Sequence, residues 1–271
     1  MAFMQVNCFS KTLLENVDLN VVIPTYDSAD LSAGRPAERL PESGKFPVLY
    51  LLHGLYGDYS DWIRNTGIER YAQEANIAVV MPGARNSFYA DMAHGGRYFT
   101  YISEEVPQLA ETLFPVSAKR EERYIAGLSM GGYGAFRIAF AAADRFSCAA
   151  SLSGALAVET LYQMALQPNA FPGNVRDIWE DETHIHGTAS DLLYSIRQKK
   201  KQGYPLPRLF QACGTEDVLY PMNISMRDAL LAAGADLTWH EEHGAHEWDF
   251  WDRNIKRVIN WLPKTPAENA E

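Results

Sequence analysis

Arg123 through Gly134 reads RYIAGLSMGGYG, and the architecture of the whole chain is tied to this stretch. Arg123 to Leu128 is the short apolar, β-rich run of a buried strand, while Met130 to Ala142 is rich in Ala, Gly and aromatics, as a close-packed helix is. Between them stands Gly127-Leu128-Ser129-Met130-Gly131, a G-x-S-x-G pattern that places a serine on a sharp strand-to-helix turn. The glycines are required because the turn brings backbone segments so close that a Cβ would collide.

Similar runs on either side predict eight strands, near 4–10, 17–24, 47–52, 77–81, 123–128, 148–152, 208–213 and 237–241. From the third onward every gap has room for a crossover helix, whereas only a short turn separates the first two. That spacing predicts an N-terminal antiparallel hairpin leading into a mostly parallel sheet with helices on both faces, an α/β fold. Residues 25–45 show no apolar period and read as a surface loop. Residues 155–205 are the longest stretch between strands, broken by Pro168, Pro172 and Gly173, and form either a cap over a pocket or a meandering crossover. No repeat or low-complexity segment divides the chain, so residues 1–271 make one domain.

A serine on such a turn is a candidate nucleophile, and the start of the following helix adds partial positive charge beside it. Acyl transfer also needs two N–H donors aimed at the developing oxyanion. Met130, directly after the serine, offers one. The third strand runs into His53-Gly54-Leu55-Tyr56-Gly57, and Leu55 offers the other, with Gly54 allowing the turn. His94-Gly95-Gly96 looks similar but follows the fourth strand, the wrong place for a donor. His53 reads as a hydrogen-bonding group within the turn.

A general base belongs on a loop at the carboxyl edge of the sheet. After the last strand come His243-Gly244-Ala245-His246-Glu247-Trp248, and Trp251, Ile255, Val258, Ile259 and Leu262 mark an amphipathic helix beyond. His246, at the mouth of that helix, is favoured over His243, and His240 falls within the strand. The orienting acid belongs after the seventh strand, where Asp217 is favoured over Glu216 because a shorter carboxylate is more easily fixed on a tight turn. The order Ser129, Asp217, His246 is that of a strand-elbow hydrolase.

A formal charge of −10 argues against a nucleic-acid partner, and the basic run Arg197–Lys201 reads as a solvated helix end. Cys8, Cys148 and Cys213 leave an odd thiol and contain no C-x-x-C, which fits a reducing, cytoplasmic location. No secretory leader or membrane-spanning run is apparent, so no membrane partner is expected. His184 and His186 lack a clear third ligand, so no metal is expected, and neither a phosphate loop nor a dinucleotide glycine pattern occurs.

These residues resemble the esterase D-like branch of the α/β-hydrolases, most closely bacterial tributyrin esterases. The likeness runs from about Phe46 to Trp261 and rests on His53–Gly57, Val80–Pro82, Lys119–Glu121, IAGLSMGGYG at 125–134, CGTEDVLY at 213–220 and His246–Trp248. It implies an α/β-hydrolase fold, cofactor-free hydrolysis of short-chain acyl esters, with acetyl and feruloyl esters among the substrates of related enzymes, and plausible homo-oligomers. It implies Ser129, Asp217 and His246 as a triad, Leu55 and Met130 as oxyanion donors, and Asn86–Asp91 beside an acyl pocket. His53, Gly54, Tyr89 and Asp91 are accordingly the candidates for contact with a small ester substrate. The related S-formylglutathione hydrolases usually carry Thr-Cys-Thr after the Gly-Leu, where this chain has Tyr56-Gly57-Asp58, which weakens a thioester role. An acyltransferase, a peptidase and a non-catalytic binding module are the other readings of the same fold.

Overall fold

A computed structural model describes residues 1–34, 40–41, 43–167 and 173–263. The strands are β1 (Ala2–Ser10), β2 (Glu15–Ile23), β3 (Val48–Leu52), β4 (Ala78–Pro82), β5 (Arg123–Leu128), β6 (Cys148–Leu152), β7 (Arg208–Gly214) and β8 (Leu237–Glu242). They lie in one sheet, ordered β1-β2-β4-β3-β5-β6-β7-β8. β2 pairs antiparallel with both β1 and β4, and every other pairing is parallel.

Burial explains this order. β3, β4, β5 and β6 are buried at every position, as strands covered on both faces must be, while β1 alternates between half-buried and exposed residues at the sheet edge. The longer helices are α1 (Ile68–Ala75), α2 (Val106–Leu113), α3 (Met130–Ala141), α4 (Val158–Ala165), α5 (Leu192–Lys201), α6 (Tyr220–Ala232) and α7 (Trp248–Trp261). Tyr50, Val80, Ile125 and Leu209 point to the layer that holds α2, α3, α4, α5 and α6. Their neighbours Leu49, Val79, Tyr124 and Phe210 point the other way, into a core with α1 and α7. The apolar stripe predicted for the C-terminal helix is the face α7 buries, with Trp251, Ile255, Val258 and Ile259 all inside.

Two stretches are more ordered than their composition suggests. Within 25–45, read as a loop, Ser28–Ser32 is a short helix in which Asp27 and Asp30 each accept the other's backbone N–H. Residues 155–205 join β6 to β7 through α4, a short helix at Arg176–Trp179 and α5, and Lys199–Lys201 fall in the last turn of α5, where cations complement the helix dipole. Pro168 and Pro172 lie outside the described residues. No described helix is long and apolar enough to cross a membrane.

Candidate active site

Every parallel strand ends at the same rim, and the loops leaving β3, β5, β7 and β8 carry the singled-out residues there. Ser129 follows β5 with φ 52° and ψ −118°, a left-handed backbone that costs a non-glycine residue strain. Neighbouring hydrogen bonds hold it in place. Its N–H donates to the Leu152 carbonyl at 2.9 Å, and its own carbonyl accepts from Tyr133 and Ala155. Gly127 and Gly131 permit the turn, since a Cβ on Gly127 would strike the Gly131 carbonyl and one on Gly131 the carbonyls of Leu52 and His53.

Ser129 Oγ lies 3.0 Å from His246 Nε2, across 117 residues of sequence. On the far side of the ring, Nδ1 lies 2.9 Å and 3.1 Å from the two Asp217 oxygens. The Asp217 side chain is fully buried and also accepts the Leu219 N–H at 2.8 Å. Burial pushes its pKa up, but His246, Leu219 and the Ser153 hydroxyl outweigh burial and hold it below the ordinary carboxylate value. The site therefore keeps an ionised acid behind the imidazole, which fixes the Nδ1–H tautomer and leaves Nε2 facing the serine as an acceptor.

The alternatives lie elsewhere. His243 is exposed, 3.7 Å from Glu216, and Glu216 accepts the Gly244 N–H at 2.6 Å, tying the two loops together. His240 sits in β8 beside Glu242. Ala93 and His94 donate their N–H groups to the carbonyls of Ile178 and Asp177, and Gly95 and Gly96 line a separate cavity.

Neither the Leu55 nor the Met130 N–H has an acceptor among the described residues. Gly54 lies close enough that a Cβ there would meet Leu128 and Ser129. His53 is buried. Its Nδ1 donates to the Gly54 carbonyl at 2.7 Å, its Nε2 accepts the Ala84 N–H at 2.9 Å, and burial lowers its pKa, which keeps Nε2 free to accept. It shapes the turn and is no surface for a substrate.

Of the segment Asn86–Asp91, Phe88 and not Tyr89 lines an apolar cavity that also meets Leu55. This cavity, of about 380 Å³, is lined by Leu55 and Phe88 on one side and by Leu161, Met164, Val175 and Trp179 of the 155–205 segment on the other. Tyr89 is wholly buried beneath the Leu55 loop, its hydroxyl donating to the His53 carbonyl at 2.8 Å, and a Cβ on Gly134 would strike its ring. Asp91 is held by the N–H and hydroxyl of Thr100 and lines a different cavity.

Sequence reasoning missed Trp251 and Ser153. The Trp251 ring meets the His246 imidazole edge-on at 4.9 Å between centroids, and its Nε1–H donates to Ser153 Oγ at 3.1 Å. The helical stripe that marked Trp251 as core carries no sign of this second contact. The candidate metal histidines diverge. His184 pairs with Asp181, while His186 faces Glu159 and Asp191, with ligand atoms within 4.8 Å of one another at a partly exposed surface.

Residues 35–261 match the family model described as "Putative esterase". An acetyl esterase of Caldicellulosiruptor saccharolyticus is 31% identical over 268 residues, covering 97% of this chain and 99% of that protein. Among solved structures, the fluorophosphonate-binding serine hydrolase F of Staphylococcus aureus superposes with a TM-score of 0.84 at 33% identity, covering 96% of this chain and 98% of that one. An S-formylglutathione hydrolase of the same organism gives 0.81 at 32%, with the same coverage.

Proposed function

The chain belongs to the esterase family whose pattern spans most of its length, and from that membership we infer that it is a carboxylic ester hydrolase acting on small-molecule esters through an acyl-serine. The observation that carries this reading is the 3.0 Å approach of Ser129 Oγ to an imidazole whose other nitrogen faces a buried carboxylate. We assign Ser129 as nucleophile, His246 as general base and then acid, and Asp217 as the group that orients the ring and stabilises its cation.

In this mechanism Oγ attacks the ester carbonyl as Nε2 takes its proton. The carbonyl oxygen gains the charge and moves toward the N–H groups of Leu55 and Met130. Collapse of the tetrahedral intermediate returns the proton to the leaving alcohol, and water, deprotonated by the same nitrogen, releases the acid. Each donor is worth about 10²–10³ in rate.

The acyl group is assigned to the short-chain class, acetyl to butyryl or feruloyl, on two grounds: the acetyl esterase relative and the apolar cavity that shares Leu55 with the oxyanion loop. The described residues of the 155–205 segment that line this cavity are assigned as its cap. The unpaired Cys8, Cys148 and Cys213 support a reducing, cytoplasmic location.

A second reading, thioester hydrolysis of S-formylglutathione, is favoured by the similar S. aureus enzyme and opposed by Tyr56-Gly57-Asp58. The test is a panel of nitrophenyl acetate, butyrate and octanoate, tributyrin, a feruloyl ester and S-formylglutathione, run on the wild type and on Ser129→Ala. Short oxyesters turned over faster than the thioester, with all turnover lost in the alanine variant, is the expected result. A thioester preference of tenfold or more supports the second reading, and no turnover of any member contradicts both.

A further inference from the structure

Away from Ser129, a cavity of about 240 Å³ has a buried cation in its wall. Arg137 of α3 lines it together with Asp91, Trp179, His184, Ala189 and Ser190. Arg137 is 6% exposed. A guanidinium has five N–H donors and no acceptor. Here Nη1 donates to the Tyr89 carbonyl, the group stacks on the Phe99 ring at 4.8 Å, and Nε is buried with no partner.

No carboxylate lies within ion-pair distance of Arg137 among the described residues. Asp91 attracts it from the same wall, but the Asp91 oxygens accept from the Thr100 N–H at 2.9 Å and the Thr100 hydroxyl at 2.7 Å, with Arg97 at 4.0 Å. Glu180 and Asp181 flank His184, which lines the cavity, at 3.7 Å and 3.1 Å. The Tyr133 hydroxyl, packed below, donates to the Ser190 carbonyl. Burial lowers the Arg137 pKa, yet a guanidinium stays charged in proteins. A buried charge with unfilled donors is costly, and natural structures usually supply a partner.

We propose that this cavity is a binding site for a small oxyanion, a carboxylate or phosphate group seated on the Arg137 guanidinium. Ser190 adds a second donor: its Oγ accepts from Trp179 Nε1 at 3.1 Å, which leaves the hydroxyl hydrogen to turn toward the anion. The planar fork of arginine matches both kinds of oxyanion. The site stands apart from the ester reading, although Trp179 walls both this cavity and the apolar one.

The wild-type protein is titrated with sodium phosphate and, separately, sodium acetate, at ionic strength held constant with sodium chloride, reading the midpoint of thermal unfolding. A saturable rise with at least one anion is expected. A response to phosphate alone identifies phosphate compounds as the source, and a response to acetate alone identifies carboxylates. Arg137→Met removes the response. Because Arg137 is buried and its loss endangers folding, Ala189→Phe at the exposed mouth is the second variant. It keeps the anion-free midpoint and weakens binding more than about tenfold, whereas acetate held at Ser129 is unaffected by it. No saturable rise in the wild type up to about 50 mM, where a millimolar site is filled, overturns the proposal. So does an unchanged dissociation constant in Ala189→Phe.

Discussion

Replacing Asp217 with asparagine separates the orienting carboxylate from its charge while keeping its shape. Asp217 presents both oxygens to His246 Nδ1, at 2.9 Å and 3.1 Å, from a side chain with no solvent contact. An asparagine amide offers one acceptor in place of two. Its oxygen retains the Leu219 N–H, now 2.8 Å from Asp217 Oδ1, which turns the NH₂ toward the ring. Two donors then face each other, so the imidazole carries its proton on Nε2 and can no longer accept one from Ser129. The loss is about 10⁴-fold in kcat, roughly 5 kcal/mol of barrier, with the fold intact. Glu216→Gln is the matched control: Glu216 holds the Gly244 N–H but does not reach His246, so kcat stays within about threefold. The assay is nitrophenyl acetate hydrolysis at neutral pH with circular dichroism for folding. Activity of the Asp217→Asn variant within tenfold of wild type, or an equal loss in Glu216→Gln, refutes the assignment.

Tyr89→Phe leaves the buried His53 carbonyl without its 2.8 Å donor, at a cost of about 1–3 kcal/mol, and loosens the loop that carries Leu55; kcat for nitrophenyl acetate should fall severalfold with KM nearly unchanged. Met164→Trp, placed in the lining of the apolar cavity, should lower kcat/KM for the octanoyl ester about tenfold relative to acetyl, on a cost of roughly 1–3 kcal/mol per displaced methylene. Glu105 is buried, and burial raises its pKa, but the Thr12 side chain, the Ser10 hydroxyl and the N–H groups of Lys11 and Thr12 outweigh that and depress it below 4.5. A depressed carboxyl stabilises the fold above its ordinary value and stops doing so as pH falls through the folded value. Glu105→Gln should therefore lower stability by about 1.5–3 kcal/mol at pH 7, with the difference from wild type shrinking below pH 4.5 in urea titrations.

The strands were legible because each central one is a short, largely apolar run bounded by turn residues, with lengths and flanks that suit strands covered on both faces. The rim residues were legible too, because G-x-S-x-G forces an elbow and the apolar period from Trp248 shows where α7 begins, which puts His246 just before it. What periodicity cannot encode is partnership between distant segments. β2 reaches past β3 to pair with β4. Tyr89 lies under His53, and Arg137 reaches back to the Tyr89 carbonyl. Trp251 bonds Ser153 across 98 residues. Within Asn86–Asp91, Phe88 and Tyr89 both have left-handed backbones, and that twist sends Phe88 into the apolar cavity and Tyr89 into the core.

Trapping the covalent intermediate bears most directly on the proposed chemistry. The protein is mixed with nitrophenyl acetate, quenched in acid within the first turnover, digested and analysed by mass spectrometry. One acetyl group on the peptide containing Ser129, absent from Ser129→Ala along with turnover, is the predicted result. An acetyl group on another side chain, or unchanged hydrolysis by the alanine variant, contradicts it.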